Sequence, residues 1–344
     1  DSSLCICILF FGISKSLTKF LIFSFVIKEF SKLLAVFIFS KCISVLNCFA
    51  RPGKTLLLPD NFYGFSRQYA EETLSEFGVQ TRYYPPLIDR KTLEDMIDET
   101  VSLIYMESPG SLTYEVQDIG MFIEVAQKHN IPTACDNSWG TPLNFRAIEH
   151  GIDYAVISAT KYICGHSDAM LGVVSCRTKE GYEKLLKTIR QSGNCPGSEE
   201  VYMGLRGLRT LDVRLKQHTA AGMALATWLQ NHDAVKMVLH PALKGAPGHE
   251  NWKKYFQGAS GVFSIVLKDT DQGRIEKFLN SLKIFQMGFS WGGYESLVFP
   301  EQLSPWRISK PWDGDGYLLR IHAGLESVDD LKADLDAALS NLKQ

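Results

Sequence analysis

The chain has 344 residues, a formal net charge of −2, 45% hydrophobic residues and 22% charged residues. These values are typical of a globular protein, and the length is sufficient for one large domain and a smaller one. They exclude wholesale disorder, a collagen-like repeat and a disulfide miniprotein. A near-neutral charge balance without a basic block also argues against nucleic acid as a partner.

The first 50 residues have an unusual composition. Thirty-two of them are apolar, and the first methionine of the chain is Met96. Lysines interrupt the segment, and its longest uncharged run (2–14) is shorter than the ~20 residues that a membrane span needs. A signal peptide is disfavoured because there is neither a basic start nor a small-residue cleavage site. We favour a non-native or misjoined start over these two interpretations, and a genuine apolar helical arm is the remaining alternative. Residues 1–50 are treated as an atypical apolar segment.

The eight cysteines do not form a recognisable site. The chain has no C-x-x-C motif and no Cys/His cluster with zinc spacing, so we expect no metal site. An N-x-[ST] glycosylation acceptor is also missing. Together these features predict unpaired cysteines in a reducing, cytoplasmic setting, with no membrane association.

From residue 51 onward, short apolar runs alternate with helical patterns. The predicted strands are Thr55–Leu58, Val101–Met106, Pro132–Cys135, Tyr154–Ser158 and Leu171–Cys176. The predicted helices are Arg67–Phe77, Leu93–Glu99 and Met121–His129. This alternation predicts βαβ units and a mostly parallel sheet, which we assign to a large domain spanning residues 51–207.

The pattern changes in the second half of the chain. A long run with helical spacing covers Ser198 to Gln230. Then follow a strand, a helix, a second strand and a terminal amphipathic helix, at Val262–Leu267, Gln272–Leu282, Leu318–Ile321 and Val328–Leu342. We predict a smaller α+β domain over residues 208–344.

Three polar residues follow predicted strands, namely Tyr63, Asp136 and Lys161. Ligands of an open parallel sheet gather at the carboxyl ends of its strands. An aspartate and a lysine at neighbouring strand ends suit pyridoxal phosphate, since the amine can form a Schiff base and the carboxylate can keep the ring nitrogen protonated. The hydroxyls of Ser158 and Thr160 suit the phosphate. Each signal is weak alone, because a strand-end aspartate is more often a turn residue.

A longer motif carries a family resemblance. The segment Ser158-Ala-Thr-Lys-Tyr-Ile-Cys-Gly-His-Ser-Asp-Ala-Met-Leu-Gly172 resembles the cofactor-lysine signature of the Cys/Met-metabolism family of fold-type-I pyridoxal-phosphate enzymes. The resemblance extends from about Pro52 to the end of the chain. It implies an aspartate-aminotransferase-like large domain with a mostly parallel sheet of the seven-stranded type, a smaller α+β domain, and a homodimer or homotetramer.

The resemblance also implies a role for each candidate residue. Lys161 would carry the cofactor and act in catalysis together with Tyr63. The cofactor would be held by Lys161, Asp136, Tyr63, Ser158 and Thr160. Arg320 would bind the α-carboxylate of the substrate, since a guanidinium pairs bidentately with a carboxylate.

Two local sequences are similar to those of the β-lyase members of the family. In Phe289-Ser-Trp-Gly-Gly-Tyr-Glu-Ser296, Trp291 would border the substrate pocket and Ser290 would stand beside it; γ-acting members usually lack this tryptophan. The turn Glu107-Ser-Pro-Gly-Ser111 is likewise of the β-lyase type. We therefore predict a carbon–sulfur β-lyase of methionine biosynthesis that cleaves L-cystathionine to homocysteine, pyruvate and ammonia. A core aromatic is the alternative interpretation of Trp291.

Further charged residues are interpreted as structural. Arg206, Arg209 and Arg214 resemble a family segment, and we expect them to pair on helix surfaces or at the domain interface. His166 and Asp168 are expected to be hydrogen-bonded scaffold behind the lysine loop rather than proton-transfer groups.

The chain departs from the family pattern at the cofactor phosphate. The family binds this phosphate at a glycine-rich turn that opens a helix, and an ungapped count places that turn at Ile38–Phe39. The family also supplies a tyrosine and an arginine from the N-terminal arm of the neighbouring subunit, and residues 1–50 contain neither. Two alternatives to the β-lyase remain open: a γ-lyase or γ-synthase type of enzyme, and a non-catalytic or truncated relative with an incomplete phosphate site.

Overall fold

The computed structural model describes residues 34–38, 41–301, 307–309 and 315–343, the first of these ranges by its backbone alone. The predictions made for residues 1–33 and for Phe39 fall outside the described residues. None of the described helices is both long enough and apolar enough to cross a membrane.

A seven-stranded sheet forms the centre of the large domain. Its strands are β1 (Leu34–Ile38), β2 (Thr55–Pro59), β3 (Gln80–Tyr84), β4 (Val101–Glu107), β5 (Thr133–Asp136), β6 (Tyr154–Ser158) and β7 (Gly172–Cys176), in the order β1-β7-β6-β5-β4-β2-β3. The strands from β6 to β3 in that order run parallel, whereas β7 is antiparallel to both β6 and β1. The predicted fold class, with its mostly parallel sheet, is confirmed.

Helices cover both faces of this sheet, which is why its central strands are largely buried and mainly apolar. The helices are α1 (Lys41–Phe49), α2 (Gly64–Gln68, continued by a π-helix at Tyr69–Leu74), α3 (Arg90–Asp95), α4 (Ile119–Lys128), α5 (Thr141–Asn144), α6 (Lys179–Ser192) and α7 (Ser198–Leu208). Because side chains alternate along a strand, Leu57 of β2 packs in the core with Phe122 of α4, whereas Leu56 packs in the opposite core with Val45 of α1 and Leu185 of α6.

The smaller domain begins along helix α8 (Leu211–Leu229). Its five-stranded sheet consists of β8 (Val235–Leu239), β9 (Val262–Leu267), β10 (Gln286–Met287), β11 (Leu297–Glu301) and β12 (Tyr317–His322), in the order β10-β11-β12-β9-β8. The remaining helices are α9 (His249–Tyr255), α10 (Gln272–Ser281), α11 (Val328–Leu339) and a 3₁₀ turn at Ser340–Lys343. Buried side chains of α8, α11 and the sheet form one separate core.

The structure contains elements that the sequence analysis did not predict, among them β3, β8, β10, β11, α6 and α9, and it differs in two further details. The helical run predicted over 198–230 is two helices, α7 and α8, separated at Arg209 and Thr210. Residues 34–38 and 41–49, which we assigned to an atypical segment, contribute β1 and α1 to the large domain. The side chains of Val45 and Leu46 on α1 are fully buried, so this part of the segment belongs to the core. The domain boundaries that we placed at residues 50 and 207 stay predictions.

Candidate active site

The carboxyl ends of three neighbouring parallel strands place the main polar side chains of the site. Glu107 is the last residue of β4, Asp136 is the last residue of β5, and Lys161 comes three residues after β6. Since β4, β5 and β6 are adjacent and parallel, their ends meet at one edge of the sheet. The strand-end positions predicted for Asp136 and Lys161 therefore lie side by side in the fold.

The amine of Lys161 is buried beside a loop of the smaller domain. Its Nζ donates a hydrogen bond to Oγ of Ser290 over 2.8 Å, and it lies 5.2 Å from the ring centroid of Trp291. Burial, together with the positive charges of Arg320 and Lys41, lowers the pKa of the Lys161 amine to about 7. A large share of this amine is neutral near pH 7, which is the form that attacks a carbonyl carbon.

A glycine allows this loop to approach Lys161. Gly292 has a φ of +87°, and a Cβ atom there would lie 2.9 Å from the Cα atom of Lys161. The backbone N–H of Gly292 donates to Nε2 of His322 over 3.0 Å. Burial holds the pKa of the His322 imidazole well below its ordinary value, so that the ring is neutral and can accept this bond. The position of Trp291 therefore depends on a glycine and on a buried histidine of β12.

Both oxygens of the Asp136 carboxylate accept hydrogen bonds. Oδ1 accepts a hydrogen bond from the backbone N–H of Ser138 over 2.8 Å, and Oδ2 lies 2.7 Å from Nζ of Lys41. Burial alone would raise the pKa of Asp136, but the charge of Lys41 and the bonds from Lys41 and Ser138 hold the pKa below its usual range. Asp136 is thus an anion at neutral pH, as a partner of a protonated ring nitrogen must be.

Sequence reasoning missed Lys41 and Ser138. The Oγ atom of Ser138 accepts hydrogen bonds from Nζ of Lys41 and from the backbone N–H of Ser158, each over 2.7 Å. The position of Ser138, two residues after Asp136, was a usable signal. Lys41 gave none, because it lies in the segment that we set aside as atypical.

Glu107 links the site to Tyr63. Its Oε2 atom accepts the backbone N–H of Tyr63 over 2.8 Å, and its other oxygen accepts the hydroxyl of Ser111. Burial and the nearby charge of Asp136 raise the pKa of Glu107 to about 8, so its carboxyl is mainly protonated at neutral pH. The Tyr63 side chain is 38% exposed, and partial burial raises the pKa of its phenol. An exposed ring at the strand end is compatible with the predicted stacking, which stays a prediction.

Arg320 projects from β12 towards the loop that carries Ser290. Its Nη2 atom donates to the carbonyl oxygens of Gly288, Phe289 and Ser290, over 3.2, 2.5 and 3.4 Å. Burial lowers the pKa of its guanidinium. The same side chain that we predicted to bind a substrate carboxylate therefore also fixes the loop beside Lys161.

The two residues predicted to hold the phosphate lie at the start of the lysine loop, the segment 159–171 that joins β6 to β7. The hydroxyl of Thr160 accepts the backbone N–H of Leu171 over 2.8 Å and donates to the carbonyl of the same residue over 3.2 Å. Ser158 is tied through its backbone to Ser138. Their binding of a phosphate stays a prediction. Ile38, at the position counted for the glycine-rich turn, is the last residue of β1.

Arg214 supports the lysine loop from α8. Its guanidinium donates to the carbonyl of Tyr162 over 2.6 Å and to that of Gly207 over 2.8 Å. These bonds agree with the structural role that we expected for Arg214. Nδ1 of His166 lies 2.6 Å from the carbonyl oxygen of Cys164, within the same loop.

The donor set fits pyridoxal phosphate at two points. An amine with a pKa of about 7 suits the aldehyde, and an anionic buried carboxylate suits the ring nitrogen. Within the described ranges, no group of three His, Cys, Asp or Glu side chains is arranged to bind a metal ion.

Comparisons with known proteins agree with this chemistry. A family model described as Cys/Met metabolism PLP-dependent enzyme matches residues 38–340. The chain is 40% identical to an L-alanine/L-glutamate racemase of Wolbachia pipientis over 86% of this chain and 72% of the relative. It is 39% identical to the cystathionine beta-lyase of Escherichia coli, over 86% and 75% of the two chains.

A solved structure is also similar. The crystal structure of cystathionine gamma synthase from Xanthomonas oryzae in complex with aminoacrylate and cysteine covers 90% of this chain and 81% of its own, with 29% identity and a TM-score of 0.83.

Proposed function

The chain belongs to the Cys/Met metabolism family of pyridoxal-phosphate-dependent enzymes, and from that premise we propose that it cleaves the bond between sulfur and Cβ of L-cystathionine. The products would be homocysteine, pyruvate and ammonia. The observation that carries the proposal is the position of Trp291 and Ser290 beside the amine of Lys161. The similarity to a relative named cystathionine beta-lyase supports it.

Each residue of the site has its own role in such a reaction. The bound cofactor supplies an electron sink for the pair that is released when the substrate Cα loses its proton. Lys161 accepts that proton as a neutral amine, since its pKa of about 7 makes it a competent base near neutral pH. Arg320 binds the substrate carboxylate, and Trp291 and the Tyr63 ring exclude water from the reacting atoms.

A γ-acting enzyme is the second candidate, because the similar solved structure is a cystathionine gamma synthase. The two candidates differ in which carbon of the substrate loses its substituent. The chain's own residues favour β-cleavage, since Trp291, which γ-acting members of the family usually lack, lies with its ring centroid 5.2 Å from Nζ of Lys161.

Product analysis tests the proposal. The purified protein is supplied with pyridoxal phosphate and L-cystathionine, and the keto acid is identified by mass spectrometry. Pyruvate with homocysteine is the expected result, whereas 2-oxobutyrate with cysteine would establish the γ-acting alternative. Incubation with L-alanine tests racemisation, the activity named for the relative from Wolbachia. Lys161→Arg is the matched control, because it keeps the positive charge without a nucleophilic amine.

We also propose a homodimer or homotetramer and a cytoplasmic location, as the family resemblance implies. Closed symmetric assembly is the usual state of such enzymes. Light scattering on the purified chain measures the mass that distinguishes these states from a monomer.

A further inference from the structure

We propose that Lys41 is an internal competitor of the cofactor: its ammonium holds the carboxylate of Asp136 at the place where the pyridine ring nitrogen must bind. The proposal rests on the cofactor site described above. It concerns binding alone, so it is independent of which substrate bond is cleaved.

The Asp136 carboxylate offers one oxygen to both Lys41 and a ring nitrogen. Oδ1 accepts the backbone N–H of Ser138, so a ring N–H would bind at Oδ2, which also accepts a hydrogen bond from Sγ of Cys42 over 3.5 Å. Oδ2 is already 2.7 Å from the Lys41 ammonium, and the side chains of the pair are only 14% and 10% exposed. A protonated ring nitrogen at the same oxygen would place a second positive charge against Lys41 in a site with little water to screen it.

Lys41 occupies a position in its helix that is unfavourable for a cation. It is the first residue of α1, where the helix dipole disfavours a cation. The stability of the helix therefore does not explain a lysine at this position. The partners that stabilise its charge are Asp136 and the hydroxyl of Ser138. The ammonium and the carboxylate form a neutral pair in which each group stabilises the charge of the other.

This competition would raise the apparent dissociation constant of the cofactor. Where a protein must first leave its most stable state, the apparent dissociation constant rises by the inverse of the fraction that is competent to bind. Cofactor binding would thus require the Lys41 side chain to leave Asp136. The chain would be purified mainly without cofactor for this reason, in addition to any weakness at the phosphate.

The test measures binding of pyridoxal phosphate to the protein freed of cofactor, by equilibrium dialysis and tryptophan fluorescence. Lys41→Met removes the ammonium. Lys41→Gln also removes the charge but keeps an N–H donor for Asp136, so it preserves the fold if the methionine variant does not. Lys184→Met is the matched control, because its ammonium lies 3.8 Å from the ring of Phe49, at the other end of α1.

Both Lys41 variants are expected to bind the cofactor roughly tenfold more tightly or better than the parent, with Lys184→Met unchanged. Pyridoxal, which lacks the phosphate, should gain by a similar factor, since the competition is at the ring nitrogen. An unchanged dissociation constant would overturn the proposal. Weaker binding of pyridoxal phosphate, with pyridoxal unaffected, would also overturn it, because Lys41 would then be a phosphate ligand.

A measurement on the parent protein gives an independent readout. Acetylation of Lys41 by acetic anhydride, followed by peptide mass spectrometry, should accelerate when pyridoxal phosphate is added, since the amine is released from Asp136. Protection of Lys41 by the cofactor would contradict the proposal.

Discussion

The amine of Lys161 and the hydroxyl of Ser290 lie 2.8 Å apart, although 129 positions separate the two residues in the chain. The lysine belongs to the large domain and the serine to a loop of the smaller one. The environment of the reactive amine is therefore set jointly by both domains, and its low pKa depends on their contact.

The first prediction concerns the pH dependence of this amine. Only the neutral form of Lys161 can react with the cofactor aldehyde, and its pKa is about 7 instead of the ordinary 10.5. The rate of covalent capture by the cofactor-free protein should therefore rise up to about pH 7 and then level off. Stopped-flow absorbance measures this rate. A rate that continues to rise above about pH 9 would show an ordinary lysine.

The second prediction concerns the stability of the Lys41–Asp136 pair. Asp136→Asn leaves the buried Lys41 ammonium without its counterion, and removal of one partner of a buried pair costs about 3 kcal/mol or more. Urea denaturation measures the free energy of unfolding. The double variant with Lys41→Met should recover part of the loss, because no unpaired charge remains. Simple addition of the two single effects would show that the pair is not coupled.

The third prediction concerns Glu107, whose pKa is raised to about 8 by burial and by the charge of Asp136. The folded protein holds a proton on this carboxyl that the unfolded chain, with the ordinary value of 4.5, has already lost. This contribution to stability is fully present below the unfolded value and is lost as the pH rises through the folded value.

Glu107→Gln mimics the protonated carboxyl, so it should make the protein relatively more stable at alkaline pH and leave it nearly unchanged near the unfolded value. Thermal unfolding at several pH values checks this. Glu72→Gln, at an exposed position, is the control. Parallel pH profiles for the parent and the Glu107 variant would refute the raised pKa.

The fourth prediction concerns Arg214. Arg214→Met removes the donor of three backbone carbonyl groups, those of Tyr162, Ile163 and Gly207. Buried acceptors that lose their donors cost about 1–3 kcal/mol each, so the variant should lose several kcal/mol of stability. Arg209→Met, at an exposed position one residue after α7, should lose less than about 0.5 kcal/mol. Equal losses for both variants would show that the loop contacts of Arg214 are dispensable.

Much of the fold could be predicted from local patterns. The buried strands from Val101 to Cys176 are short apolar runs between helical stretches, and this pattern is specific to an α/β sheet. The edge strand β3 (Gln80–Tyr84) was missed because its residues are largely polar and partly exposed. β1 and α1 were missed because this segment is apolar almost throughout. The change from the apolar period of a strand to that of a helix is therefore hidden.

The site residues that could be predicted are those whose chemical type and whose position relative to a strand both indicate a functional site. Asp136 and Lys161 could be found because each of these polar residues lies at the end of an apolar strand or shortly after it. Lys41 could not be found, since its role comes from a contact across 95 positions of the chain with Asp136. The low pKa of Lys161 likewise depends on Arg320 and on burial, which no local sequence pattern encodes.

Among the described residues, the site brings together the amines of Lys41 and Lys161, and peptide mapping after reduction shows which of them bears the cofactor. The protein is loaded with pyridoxal phosphate, reduced with borohydride, digested and mapped by mass spectrometry. We expect the pyridoxyl group on Lys161, because its pKa of about 7 leaves the amine free to react, whereas the ion pair with Asp136 raises the pKa of Lys41 despite its burial. A pyridoxyl group on Lys41, or on any peptide without Lys161, would contradict the account.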